Sequence, residues 1–253
     1  MSRGGAAEGM NEDQRAAADA GLKALIPFHG QPYLSYGLSA LADGGVRDAC
    51  LVVRGGADPI RAHYTACPPD RLRLEFVEQP QPRGSADALL CAEAAVRGEP
   101  FLLVNADNVY PPEAIARIAR LPGPGLAAFT AGTLIAGGIP AERLAGYAIV
   151  VADGDGALRE IREKPGAEAF ERAGDAALVS MTCWRFDESI FDACRAIRPS
   201  ARGELELPDA VAWALARGHR FEVVHAGGPV LDLTSREDIP RVAAALARET
   251  ARP

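Results

Sequence analysis

Several charged and amide side chains sit where short apolar runs stop, which is where a fold presents chemistry to a cleft. Asp107 follows the apolar run 101–104 almost directly. A carboxylate at the end of a buried strand suits Mg²⁺, a hard cation that keeps several waters and takes few protein oxygens. The same placement also suits a helix cap, because a helical pattern begins at 112. Lys23 lies in the apolar segment 22–27 and is one of few lysines in an arginine-rich chain. A lysine there serves as a point charge for a phosphate, or simply as a solvated surface group. Gln79 and Gly84 bracket a proline-rich loop, Pro80-Gln81-Pro82-Arg83. A glutamine amide pairs with the donor–acceptor edge of a base, and a glycine lets backbone approach a ligand. The plain alternative is a connector in which Gly84 opens a helix.

These positions need a scaffold, and the apolar pattern supplies one. Residues 33–42 carry apolar positions 34, 38 and 41 on one helical face, and Gly44-Gly45 ends that helix. Residues 49–53, 72–77, 100–105 and 126–131 read as buried strands, with helices at 59–66, 86–97 and 112–120 between them. Alternating β and α units predict an α/β fold, a doubly wound, mostly parallel sheet whose ligands bind at the C-terminal strand ends. After residue 145 the rhythm changes. Residues 146–152 and 157–163 flank Asp153-Gly154-Asp155-Gly156 and predict a β-hairpin. A strand at 179–186, helices at 189–195 and 208–217, a strand at 221–224 and a C-terminal helix at 236–248 complete the pattern. Residues 1–20 show little apolar periodicity.

Composition narrows the classes. A formal charge of −7 with no Lys/Arg cluster argues against nucleic acid as a partner. No stretch approaches the roughly 18–20 apolar residues of a membrane span, and residues 1–15 lack the apolar core of a signal peptide. The expectation is a cytoplasmic protein that binds no membrane. The five cysteines form no CxxC pair and are expected to be free thiols. The strand–GxGxxG–helix unit of a dehydrogenase and the GxSxG elbow of a serine hydrolase are both missing from the sequence.

Five segments in order resemble the sugar-1-phosphate nucleotidyltransferase family. They are Gly21 to Pro27, Glu78-Gln79-Pro80 through Gly84-Ser85-Ala86-Asp87-Ala88, Asn105-Ala106-Asp107-Asn108, Glu163-Lys164-Pro165, and Val230-Leu231-Asp232-Leu233-Thr234. A sixth, Arg202 to Asp209, looks similar. The resemblance spans about residues 21–246. It implies a single Rossmann-like domain with a nucleotide-binding part at about 21–135, a sugar-phosphate part at about 136–235 and a C-terminal helix at 236–253. It implies the joining of a nucleoside triphosphate (NTP) to a sugar 1-phosphate with release of pyrophosphate. By the resemblance, Asp107 and Asp232 hold Mg²⁺, Lys23 faces the triphosphate, and Gln79 and Gly84 meet the base. Glu163 takes a sugar hydroxyl, Lys164 the sugar phosphate, and Gly146 the sugar. The resemblance is imperfect there: Ala148 stands where the family often has glycine, and Val230 where it usually has tryptophan two residues before the aspartate. Glu204 and Asp209 read equally well as sugar-site acids or as helix-start charges. Within the same superfamily a non-sugar phosphate acceptor is the alternative: phosphocholine, a polyol phosphate or a molybdenum cofactor. A non-catalytic nucleotide- or sugar-phosphate-binding regulator is a further one, and association into a homo-oligomer stays open.

The pattern breaks at its start. The family opens on an apolar strand and a glycine-rich loop whose N–H groups wrap the triphosphate. Here Met1-Ser2-Arg3-Gly4 resembles only the tail of that loop, with Arg3 as its nucleotide-binding arginine. The expectation is that the first central strand is missing, with residues 4–20 an insertion before Lys23. Both neighbouring strands would then carry unpaired backbone edges, with a slot opened between them.

Overall fold

A computed structural model describes residues 10–19, 22–55 and 59–253. The expected α/β architecture is borne out, in a mixed sheet. Strand Leu178–Phe186 is its centre, because among the described residues it pairs with three other strands of the sheet. One edge pairs antiparallel with Gly125–Thr130, which in turn pairs parallel with Glu222–Ala226. The other edge is shared in sequence, by Ala148–Ala152 at residues 178–180 and by Phe101–Val104 at residues 183–186, both antiparallel. The expected hairpin forms as strands Ala148–Ala152 and Leu158–Arg162. Asp153 shapes its turn by accepting both Asp155 N (2.9 Å) and Ala157 N (2.9 Å). The parallel pairs are 125–130 with 222–226, and Asp48–Arg54 with Arg73–Gln79.

A register shift between Ser180 and Trp184 interrupts the central strand, with Thr182 at φ 58°. A bulge of this kind frees carbonyls from the ladder. Tyr110 Oη donates to Met181 O at 2.7 Å, and Asn108 Nδ2 donates to the same oxygen at 3.1 Å. The Asp107 loop is thereby pinned to the centre of the sheet by two buried side chains that flank it.

The core divides across the sheet. On one face Ile115 and Ile118 from helix Pro112–Ala119 pack with Leu134, Phe129, Val179 and Met181. On the other, Trp184 and Phe186 stack at 5.4 Å among Ile190, Phe191 and Val211. Apolar burial of this extent, at roughly 25 cal/mol per Å², dominates the stability of the fold. The five cysteines are free thiols, and burial pushes Cys183 and Cys194 up to about 12.

The expected slot is present. Among the described residues, strand Asp48–Arg54 pairs only with Arg73–Gln79, and Phe101–Val104 only with the central strand. The free edges of 48–54 and 101–104 line one cavity of about 1700 Å³, together with Leu34, Leu38 and Leu41 of helix Tyr33–Asp43.

Other expectations need correction. A helix occupies Glu12–Asp19, where no periodicity was expected. Its start is fixed by reciprocal bonds: Gln14 N donates to Asn11 Oδ1, and Asn11 N to Gln14 Oε1. The helix expected over 86–97 breaks at Ala92 into Ser85–Cys91 and Glu93–Val96, and ends on left-handed Arg97. A short helix, Ala131–Ala136, capped by Thr130, follows directly on a strand expected to run to 131. The C-terminal helix is shorter than expected, Ile239–Ala245, because Ser235 and Asp238 form a capping box around a 3₁₀ turn at Arg236–Asp238. Among the described residues no helix is long and apolar enough to cross a membrane.

Candidate active site

Asp107 and Asp232, 125 positions apart in sequence, are brought together by a two-residue antiparallel ladder. Asn108 and Val109 pair with Asp232 and Leu231, and Leu233 N donates to Asp107 O at 3.0 Å. Tyr33 Oη, fully buried at the start of its helix, donates to Leu231 O at 2.8 Å and fixes the second strand. Lys23, on the 3₁₀ turn Lys23–Leu25, donates from Nζ to Thr234 O. The sequence-expected trio of Asp107, Asp232 and Lys23 therefore forms one cluster.

The two carboxylates differ in their partners. Asp232 is 2% exposed and heavily bonded. Oδ2 accepts Arg143 Nη2 (2.6 Å) and Tyr147 Oη (2.5 Å), and Oδ1 accepts Thr234 Oγ1 (2.7 Å). Asp107 has no side-chain donor among the described residues. Burial and then the Asp232 carboxylate push its carboxyl above the usual range, against the pull of Lys23 and Arg143. Two neighbouring carboxylates, one of them raised by burial and by the other, make an arrangement that a divalent cation relieves. The donor set is one that Mg²⁺ fits, and Asp107 and Asp232 are the residues that would hold it.

A second cluster forms where the hairpin ends. Lys164 adopts φ 44°, and neighbouring Glu163 feels the charges of Glu206, Lys164, Arg202 and Asp209. Burial and the Glu206 carboxylate push the Glu163 carboxyl up. Glu163, Arg202 and Glu206 line the same large cavity as Asn105 and Ala106. Among the described residues no bond or ion pair joins Lys164 to the Asp107–Asp232 cluster. The raised Glu163 carries a signed expectation. The folded state holds this proton more tightly than the unfolded chain, so the stability it confers is present below the unfolded value and lost as pH rises through the folded one. Glu163→Gln removes that loss. The melting-temperature difference between variant and wild type should grow from pH 4 to pH 7, and a difference independent of pH would contradict the assignment.

Gln79 and Gly84 meet at the start of helix Ser85–Cys91. Gln79 Nε2 donates to Asp87 Oδ2 (2.8 Å) and Gly84 O (3.2 Å), and Arg83 pairs with Asp87 Oδ1 at 2.7 Å. The amide's donor end is thus engaged by protein, which leaves its carbonyl as the end available to a ligand. Gly84 has φ 115°, and a Cβ there would lie 2.3 Å from Leu205 O. The close approach that requires glycine is to the chain's own backbone. Gly146 is exposed, and the adjacent Tyr147 is the residue that reaches Asp232. Arg3 lies outside the described residues.

Sequence reasoning missed Arg143, Tyr147, Thr234 and Asp87. Only Arg83 and Asp87 carried a local signal, the i, i+4 spacing of opposite charges.

The sequence model described as nucleotidyl transferase matches residues 19–239. The chain belongs to the nucleotidyl transferase family. It is 31% identical over 198 residues to a glucose-1-phosphate thymidylyltransferase of Streptomyces griseus, covering 78% of this chain and 52% of that one. It is 25% identical over 231 residues to a UTP–glucose-1-phosphate uridylyltransferase of Haloferax volcanii, covering 90% of this chain and 89% of the relative. The chain spans about half the length of the thymidylyltransferases of two Streptomyces species that it matches. Among solved structures, a UDP-glucose pyrophosphorylase complexed with UDP-glucose superposes with a TM-score of 0.70 at 17% identity, covering 90% of this chain and 91% of that one. That likeness establishes the nucleotidyl transferase fold.

Proposed function

We propose that the chain transfers a nucleotidyl group from an NTP to a sugar 1-phosphate, giving an NDP-sugar and pyrophosphate. The observation that carries this reading is the Asp107–Asp232 pair with Lys23 beside it. An oxygen of the sugar phosphate attacks the α-phosphorus. The bond from that phosphorus to the oxygen bridging to the β-phosphate breaks, and its electrons leave with pyrophosphate. Repulsion between two anionic reactants is the obstacle, so the site must supply positive charge and alignment more than a covalent nucleophile. Mg²⁺, when bound at Asp107 and Asp232, supplies charge neutralisation at the phosphates. Lys23 supplies a fixed charge toward the triphosphate. Gln79 presents its carbonyl to the base, on a loop that Gly84 lets pack against Leu205. Glu163 takes a sugar hydroxyl and Lys164 the sugar phosphate, with Gly146 at the sugar's edge.

The sugar phosphate is favoured as acceptor by the names of the relatives and by Glu163 at the cavity wall, with Lys164 next to it in sequence. The test is pyrophosphate release from each of the common NTPs against a panel of sugar 1-phosphates with Mg²⁺. Release that requires both a nucleotide and a sugar 1-phosphate is expected. Release only with a non-sugar phosphate acceptor, or none at all, would overturn the reading.

A further inference from the structure

Arg143 joins two buried carboxylates. Nη2 donates to Asp232 Oδ2 at 2.6 Å, and Nη1 donates to Asp238 Oδ1. The Arg143 side chain is 23% exposed, while the two aspartate side chains are 3% and 4% exposed. Asp238 is itself fixed, since its Oδ2 accepts Ser235 N at 2.7 Å and its Oδ1 accepts Arg241 Nη2 at 3.1 Å. Arg241 Nη2 also donates to Asp232 O at 2.7 Å. The guanidinium is therefore anchored at one end by the turn 235–238 and grips Asp232 with the other.

The bonds on Asp232 can be counted atom by atom. A carboxylate oxygen accepts about two hydrogen bonds. Oδ2 already accepts two, from Arg143 and Tyr147, and is saturated. Oδ1 accepts one, from Thr234 Oγ1, and keeps one lone-pair direction. Tyr147 meets Oδ2 through its phenol O–H, which is the donor of that bond.

We propose that Arg143 and Tyr147 are positioning residues: they fill Oδ2 of Asp232, so that the carboxylate meets the catalytic cation through Oδ1 alone. Rigid rotation of the carboxylate is blocked at two donors, one of them a fork pinned to Asp238. Charge supports the same division of labour. Asp107, Asp232 and Asp238 are matched by Lys23, Arg143 and Arg241, so the protein's own groups are balanced before a cation arrives. The cation's charge is then met by the phosphates of the nucleotide, and metal and nucleotide bind together. This inference rests on the proposed nucleotidyl transfer and assigns within it two residues that act through Asp232.

The test uses the full chain and Mn²⁺ as probe, read by electron paramagnetic resonance in three arms: Mn²⁺ alone, with UTP, and with dTTP, all without sugar phosphate. Wild type is expected to bind Mn²⁺ much more tightly in a nucleotide arm than alone. Tyr147→Phe removes one Oδ2 donor without leaving a charge unpaired. It should weaken nucleotide-dependent Mn²⁺ binding about tenfold, within the range seen when hydrogen-bond partners of metal ligands are removed. Arg143→Met should weaken it further, and Arg143→Lys should recover part of the loss. The Mg²⁺ concentration for half-maximal pyrophosphate release should rise in parallel. Melting curves taken alongside separate this role from a structural one, which would lower the melting temperature and leave the affinity of the folded protein unchanged. Variants that bind Mn²⁺ like wild type, in a wild type that turns over NTP, overturn the positioning role alone. A wild type with no nucleotide-dependent Mn²⁺ site overturns it together with the reading on which it rests.

Discussion

Asp107→Asn should abolish pyrophosphate release while leaving the protein as stable as wild type, or more so. The two halves of this result have one cause. Asp107 is half-buried beside Asp232 and has no side-chain donor among the described residues. Its charge is costly to the fold and useful to a cation. Replacement by the neutral amide relieves the repulsion and removes the ligand. The loss of transition-state stabilisation at a metal-assisted phosphoryl centre is several kcal/mol, or about three orders of magnitude in rate. The raised carboxyl sets the sign for stability. Its contribution is present below the unfolded value and lost as pH rises through the folded one, so the variant's advantage belongs to neutral and alkaline pH and fades in acid. Turnover assays paired with melting curves at pH 5 and pH 8 check both halves. An active variant would show that the metal site is elsewhere.

Asp232→Ala should fail differently. Here the carboxylate accepts three side-chain hydrogen bonds, and its removal takes the carboxylate partner from Tyr147 and from Nη2 of Arg143, whose guanidinium keeps only the carboxylate of Asp238. Breaking a buried, hydrogen-bonded ion pair costs about 3–5 kcal/mol. For a chain of this size that lowers the melting temperature by roughly 10 °C. Activity should be lost as well. The contrast between the two aspartates separates a residue held by the fold from one that the fold merely tolerates. Equal melting temperatures for the two variants would contradict the hydrogen-bond assignment around Asp232.

Much of this was legible in the sequence, for identifiable reasons. Short unbroken apolar runs located the strands at 48–54, 101–104, 125–130 and 178–186 to within a residue or two; burial on both faces imposes that composition on the last two, while 48–54 and 101–104 border the cavity and are only partly covered. The turn residues 153–156 announced the hairpin. Asp107, Lys23 and Asp232 could be named because each belongs to a short motif in a fixed order. What the sequence hid depends on contacts between distant segments. Arg143 lies in a short helix, Ala141–Leu144, with no periodicity to mark it, and its partners are 89 and 95 positions away. Thr182 adopts a positive φ that no β-branched residue advertises, because the bulge there serves the Asp107 loop and not the strand. Gly84 could be read as a ligand-facing glycine from sequence, whereas the backbone of Leu205 fills the space beside it.

The account turns on one proposition, that two acidic side chains 125 positions apart in sequence share a cation between two phosphate-bearing reactants. It is tested most directly by pyrophosphate release in the presence of Mg²⁺, NTP and sugar 1-phosphate, run side by side on wild type and Asp107→Asn at matched folded concentration. Release by wild type that vanishes on removal of Mg²⁺ and in the variant is the predicted result. Release that survives either change would contradict it.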